Sequence, residues 1–324
     1  MALYLITGVA GFIGSSLARA LLSRGEQVRG IDNFSTGNRE NLSEILGRID
    51  FRQADINDLD AMHKACAGVD FVLHQAAIPS VPKSVLDPLG SNRANIDGTV
   101  NVLVAARDAK VKRVVYAASS SAYGDTPTLP KHEAMKPDPI SPYAVAKLAS
   151  EHYMTSFYRC YGLETVSLRY FNIFGPRQDP TSQYSGVLAK FITQMLRGEQ
   201  PTINGDGEQS RDFTYIDNAV EANLFACRAP EAKAAGQVFN VATGRRVTLN
   251  ETFKLLKDLT GYDGQPKYGP ERGGDIKHSL ADISKAESGL SYKPLVDFEE
   301  GLKRTVDWYR KSVVGLPTSA RTGR

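Results

Sequence analysis

Six short apolar runs, Leu3–Thr7, Gln27–Ile31, Phe51–Ala54, Phe71–His74, Val114–Ala118 and Thr165–Leu168, punctuate the first half of the chain. Segments with helical periodicity lie between them, near 12–24, 58–66, 95–110 and 142–161. Parallel strands need long crossovers, and a helix is the usual one. The alternation therefore predicts an α/β fold, a doubly wound parallel sheet of Rossmann type with helices on both faces. Its sheet domain should span 1–171. After Asn172 the rhythm changes. Residues 175–184 are polar and turn-rich, and helical stretches follow near 187–196, 216–228, 248–260 and 298–312. These predict a second, smaller mixed α/β lobe over 172–314, with strand 238–241 able to return to the main sheet. Residues 315–324 lack an apolar face and read as a tail that frays.

The first apolar run ends in Thr7-Gly8-Val9-Ala10-Gly11-Phe12-Ile13-Gly14. Gly8 permits a backbone geometry closed to larger residues. Gly11 lets a pyrophosphate approach the backbone, and Gly14 lets the helix pack against the sheet. The helix N-terminus adds amide donors and a favourable dipole. Asp32 follows the second run, where a carboxylate accepts from both ribose hydroxyls of a dinucleotide and repels a 2′-phosphate. Arg39 is the nearest cation, so NAD is expected rather than NADP. Asp55 and Ile56, after the third run, suit an adenine.

The 324 residues suffice for two lobes around a cleft. The net charge of +3, without a basic run, argues against nucleic acid and against an anionic membrane surface. Cys66, Cys160 and Cys227 form no CxxC and read as reduced, buried small hydrophobes. No metal site is expected. Gly8 stops the apolar start short of a membrane span, and no signal-peptide pattern is seen, so a cytoplasmic location is expected.

Tyr143-Ala144-Val145-Ala146-Lys147 places a phenol and an ammonium on one helical face. Ser119, Ser120 and Ser121 follow the fifth run, whose end opens on the cofactor crevice. A nearby Lys147 cation and an oxidised nicotinamide would favour the Tyr143 phenolate. The set is then a device for taking a proton as a hydride leaves the same carbon.

TGVAGFIG, Asp32, HQAA (74–77), SSSAYG (119–124), YAVAK (143–147) and RYFNIFGPRQ (169–178) together resemble the extended short-chain dehydrogenase/reductase family. GDGEQSRDFTYIDN (205–218) and GGDIKHSLADISKA (273–286) extend the resemblance across nearly the whole chain, with UDP-hexose 4-epimerases the nearest likeness. The resemblance implies that Ser119, Tyr143 and Lys147 are catalytic. It implies cofactor contacts at Gly8, Gly11, Phe12, Ile13, Gly14, Asp32, Asn33, Ser35, Thr36, Gly37, Asp55, Ile56, Gln75, Ala76, Ala77, Asn95 and Tyr170. It also implies that the 172–314 lobe holds a UDP-sugar. Substrate contacts are expected at Ser80, Ser120, Ser121 and Asn172, with Arg211 and Arg272 on the diphosphate. Asp275 is expected near the uridine ribose, and Val187, Thr202, Ile203 and Asn204 at the uracil. Pro79 stands where some epimerases carry lysine, so that contact is not carried over.

The resemblance implies 4-epimerisation through a 4-keto sugar with NAD recycled. Ser120 and Ser121 supply no carboxylic acid, which argues against dehydration and decarboxylation. Ser279 matches a gatekeeper position, where a small residue admits an N-acetyl group. UDP-GlcNAc and UDP-GalNAc are therefore the expected substrates, with UDP-Glc and UDP-Gal beside them. The alternative is a UDP-glucuronate or UDP-N-acetylglucosaminuronate 4-epimerase, with Lys83, Arg93 and Arg177 as candidate carboxylate partners. A non-catalytic dinucleotide-binding module is a remote third reading, opposed by the intact Ser119, Tyr143 and Lys147. A homodimer is expected, packed through helices 95–110 and 142–161.

Overall fold

A computed structural model describes residues 1–180, 186–271 and 277–313. Seven parallel strands form the main sheet: β1 (Leu3–Thr7), β2 (Gln27–Asp32), β3 (Asp50–Gln53), β4 (Phe71–His74), β5 (Arg113–Ser119), β6 (Glu164–Tyr170) and β7 (Gln237–Val241). Their order is β7-β6-β5-β4-β1-β2-β3. The chain runs outward from β1 to β3, then returns to the other side of β1 at β4. The crevice that receives ligands in such sheets lies at this reversal, beyond the strand ends. Thr7 pairs with Ile31 and with His74, while Ser119 pairs with Tyr170. These strand ends therefore share one edge of the sheet.

Alternate residues of each strand feed two cores. Tyr4, Ile6, Val115 and Leu168 face one side, packed with Leu17 and Leu21. Leu5, Val72, Val114 and Tyr116 face the other, packed with Met154 and Phe157. Helices Phe12–Ser23 (α1), Gly98–Asp108 (α2) and Pro142–Tyr161 (α3) cover these faces. The expected helix 95–110 is divided: a π-helical turn, Arg93–Asp97, leads into α2. Gly98 sits so close to Ile56 that an added Cβ would lie 2.4 Å from its Cδ1. The wider turn tucks Asn95 inward, where it bonds the main chain of Ile78.

The region after Asn172 is interleaved with the sheet domain. Besides β7, helix Ile216–Arg228 (α4) packs beside α1. The rest of this region carries three two-stranded pairs, Ile173–Phe174 with Thr214–Tyr215, Ser210–Arg211 with Val247–Thr248, and Thr202–Asn204 with Lys267–Gly269. Cys66 and Cys227 are buried, but Cys160 is exposed on α3, contrary to expectation, because its helical position faces away from the sheet. Among the described residues no helix is long and apolar enough to cross a membrane.

Candidate active site

A cavity of about 790 Å³ opens beyond the ends of β1, β4 and β5. At its floor lies the glycine turn. Gly8 has φ +71°, and a Cβ there would lie 2.7 Å from the Ala76 nitrogen. A Cβ on Gly14 would lie 2.2 Å from the Gly8 carbonyl oxygen. Both positions exclude larger residues by main-chain contact. Gly11 precedes α1 as its capping residue and offers no side-chain cap, and no acidic residue occupies the first turn. The amides of that turn thus remain available to an anion. By contrast Ser141 caps α3 through the Ala144 amide.

Asp32 is buried at the cavity wall. Its Oδ2 accepts from the Ala10 amide at 2.9 Å and its Oδ1 from the Phe34 amide at 2.7 Å. Burial raises its pKa and these amides pull it back. The acid therefore fixes the loop after β2 as well as facing the cavity. Gly37 is required beside it, since a Cβ would lie 2.9 Å from Oδ1. Asn33 donates to Asp55 at 2.8 Å, which ties the loops after β2 and β3. Asn33, Ser35, Thr36, Gly37, Asp55 and Ile56 all line this end. An uncapped helix start, a close-approach turn and a carboxylate one strand away fit a dinucleotide.

At the other end stand Ser119, Tyr143 and Lys147. Ser119 Oγ accepts from the Ser121 hydroxyl at 2.8 Å and from the Ser121 amide at 3.2 Å. Ser119 also hydrogen-bonds the Tyr143 phenol, which ties the two hydroxyls together. Lys147 donates to the Ala117 carbonyl at 2.8 Å. Burial pushes Tyr143 up to about 12, only partly offset by Ser119, and pushes Lys147 down to about 7. In the protein without its cofactor, burial thus favours the neutral phenol and the neutral amine.

Gln75, Ala76, Ala77, Ser80, Tyr170 and Asn172 complete the wall. Tyr170 donates to Gln75 at 3.3 Å and accepts from Asn223 at 2.7 Å, and Gln75 donates to Asn223 at 3.2 Å. Asn223 closes this triangle from α4; its apolar surroundings in the sequence hide the role. Lys83, Arg93 and Arg177 also face the cavity.

A second cavity of about 230 Å³ shares Asn172, Ile173 and Gln178 with the first. Val187, Thr202, Asn204 and Arg211, expected to contact the nucleotide, lie together in its lining. Five of the expected contact residues lie outside the two linings. Asn95 lies outside both linings, where it braces the Ile78 backbone. Ser120 and Ser121 also lie outside them, since the chain turns into a 3-10 segment after Ser119; Ser121 acts on Ser119 instead. Ile203 is a core residue, because its strand points it away from the pocket. Ser279 lines neither cavity directly but accepts from the Asn172 side chain at 3.1 Å, one residue away from both. Arg272 and Asp275 lie outside the described residues.

The model of the NAD dependent epimerase/dehydratase family matches residues 4–242. The UDP-N-acetylglucosamine 4-epimerase of Methanobrevibacter ruminantium, solved with UDP-N-acetylmuramic acid, superposes with a TM-score of 0.91 at 42% identity, covering 96% of this chain and 99% of that one. The UDP-glucose 4-epimerase of Thermotoga maritima, solved with UDP-glucose, gives 0.91 at 41% identity over the same shares. The UDP-glucose 4-epimerase of Mycolicibacterium smegmatis is 37% identical over 310 residues, 94% of this chain and 98% of its own. The chain therefore belongs to the NAD-dependent epimerase/dehydratase family, and NAD is its cofactor.

Proposed function

We propose that the protein is a UDP-hexose 4-epimerase acting on UDP-GlcNAc and UDP-GalNAc, and on UDP-Glc and UDP-Gal beside them. The observation that carries this is the shared wall of the two cavities: the Ser119, Tyr143 and Lys147 end of one adjoins a pocket lined by Arg211, Asn204 and Thr202. NAD supplies a reversible hydride acceptor when bound. Tyr143 takes the proton from the sugar 4-hydroxyl, and Ser119 donates to that oxygen to orient it. Lys147 sits on the same face of α3 and is ready to gain a proton, so the charge that ligands bring decides its state and that of Tyr143. Arg211 and the small pocket hold the nucleotide while the 4-keto sugar turns its other face. Tyr143 then returns the proton. No carboxylic acid of the described wall stands beside Ser119 to remove water or carbon dioxide from that intermediate.

The N-acetyl preference rests on Ser279, a small side chain bonded to Asn172. The second reading, a uronate substrate, draws on Lys83 and Arg93 at the cavity wall. The deciding experiment supplies UDP-GlcNAc, UDP-Glc, UDP-GlcA and UDP-GlcNAcA separately and resolves the products. Conversion of UDP-GlcNAc to UDP-GalNAc supports the first reading; turnover confined to the two uronates supports the second. No turnover of any would sink both.

We also propose a homodimer built on α2 and α3, with Val145 and Tyr153 exposed on the outward side of α3.

A further inference from the structure

Arg177 lines the large cavity, with Glu44 and Asp217 as its acidic electrostatic neighbours and no ion pair to either among the described residues. Its Nε is shut off from solvent and has no hydrogen-bond partner. The nearby carboxylates are engaged elsewhere: Glu44 pairs with Arg19 at 2.9 Å, and Asp217 with Arg304 at 3.5 Å. Arg19 itself adds repulsion. A guanidinium whose Nε is buried and unpaired is costly, and an anionic ligand is the ordinary remedy.

The backbone points the same way. Arg177 holds φ +69°, a left-handed conformation that side chains with a Cβ rarely adopt. Such strain persists where the surroundings impose it, and it clusters at ligand sites. Here it falls on a residue that lines the cavity.

Two diphosphates are candidates, that of the cofactor and that of the UDP-sugar. The small nucleotide pocket has its own guanidinium in Arg211, and Arg177 is absent from its lining. Arg177 lines instead the cavity of the glycine turn, and its electrostatic neighbour Arg19 belongs to α1, the helix that begins at that turn. We propose that Arg177 binds the diphosphate of NAD, as a cationic partner to the uncapped start of α1. The cofactor is then held by both parts of the chain, since Arg177 follows Asn172. Such a grip suits a cofactor that is recycled in place. This rests on the family's cofactor, not on the identity of the sugar.

The test is calorimetric titration of cofactor-free Arg177→Gly protein with NAD⁺, ADP, adenosine and UDP. Glycine accepts the left-handed backbone, so the unliganded fold should keep its melting temperature. The expected result is about tenfold or greater weakening for NAD⁺ and for ADP alike, the loss of charge-assisted hydrogen bonds. Adenosine and UDP should bind as before. Unchanged NAD⁺ affinity would overturn the proposal, as would an equal loss for adenosine or a loss confined to UDP. If the glycine variant does not fold, Arg177→Lys serves: it keeps the charge but not the fork. Weakened NAD⁺ and ADP binding, with less NAD retained through purification, then supports the proposal, and wild-type retention and affinity refute it.

Discussion

Tyr143 and Lys147 share the cavity wall, and burial drives both toward neutrality. His74 reinforces this. Thr99 Oγ1 donates to the Asn95 carbonyl, so it accepts from His74 Nε2, and Nδ1 in turn accepts from Thr7. The ring is thus neutral, with burial and Lys147 holding its pKa down to about 3. Replacing Tyr143 by Phe removes the proton acceptor; kcat should fall about 10²-fold or more while NAD binding persists. Near-normal turnover would end the catalytic assignment. Lys147 carries a pH signature of its own. Its folded pKa, about 7, lies below the ~10.4 of an unfolded lysine. The stability linked to its titration is fully present above the unfolded value and is lost as pH falls through the folded one. Cofactor-free wild type should therefore gain stability relative to Lys147→Met as pH rises from about 6 to about 9. Melting curves of the two proteins at a constant offset across that range would contradict it. At the sugar, Ser279→Tyr puts a ring beside Asn172. Overpacking of this kind costs ~1–3 kcal/mol, and an N-acetyl group competes for the same space. The ratio of kcat/KM for UDP-GlcNAc over UDP-Glc should drop roughly tenfold; an unchanged ratio removes Ser279 as the gate.

Elements were legible where a local pattern sufficed. The run Leu3–Thr7 followed by three glycines announced a strand, a turn and a helix, and the structure has all three. The π-turn Arg93–Asp97 was not legible, because its cause is distant: Gly98 against Ile56, and Asn95 against Ile78. Asp212 is another such case. It is fully buried and accepts from Thr243, Gly244 and Ala281, gathering three loops around Asn172 and Ser279. A lone acid within RDF gives no hint of partners so remote in sequence. The glycine turn yields a prediction by contrast. Gly14→Ala drives a Cβ into the Gly8 carbonyl, whereas Gly25→Ala meets nothing within 4 Å and suffers only its φ of +76°. Gly25→Ala should lose ~1–2 kcal/mol and keep NAD. Gly14→Ala should lose ~1–3 kcal/mol and also its cofactor, because the turn must open. Denaturant midpoints and bound-NAD absorbance check both; equal NAD content in the two variants would show that the turn tolerates displacement.

At the scale of the molecule, the sequence divides the chain near Asn172 while allowing 238–241 to return to the main sheet, and the structure places both that strand and a further helix there. Residues 216–228 and 237–241 rejoin the sheet layer, since β6 would otherwise expose an edge. Helix α3 links site and surface. Its inner face carries Tyr143 and Lys147; its outer face carries Val145, Leu148, Ala149, His152, Tyr153 and Ser156 at helical spacing. Val145 is 49% exposed and Tyr153 42%. Val100 and Val104 on the adjacent α2 are half-buried along a similar stripe. Two adjacent helices with apolar residues exposed or half-buried on their outer sides match the self-complementary patch of a two-fold dimer. If α2 and α3 form that contact, a charge at its centre must be buried without a partner, a cost of several kcal/mol. Tyr153→Asp should therefore convert a dimer of twice 35.3 kDa to a monomer by light scattering. Leu295→Asp, at a 66% exposed apolar residue outside these two helices, should leave the mass unchanged. A dimer that survives Tyr153→Asp but dissociates with Leu295→Asp would move the interface off α3, and a wild type that is already a monomer would leave that apolar face without its second copy.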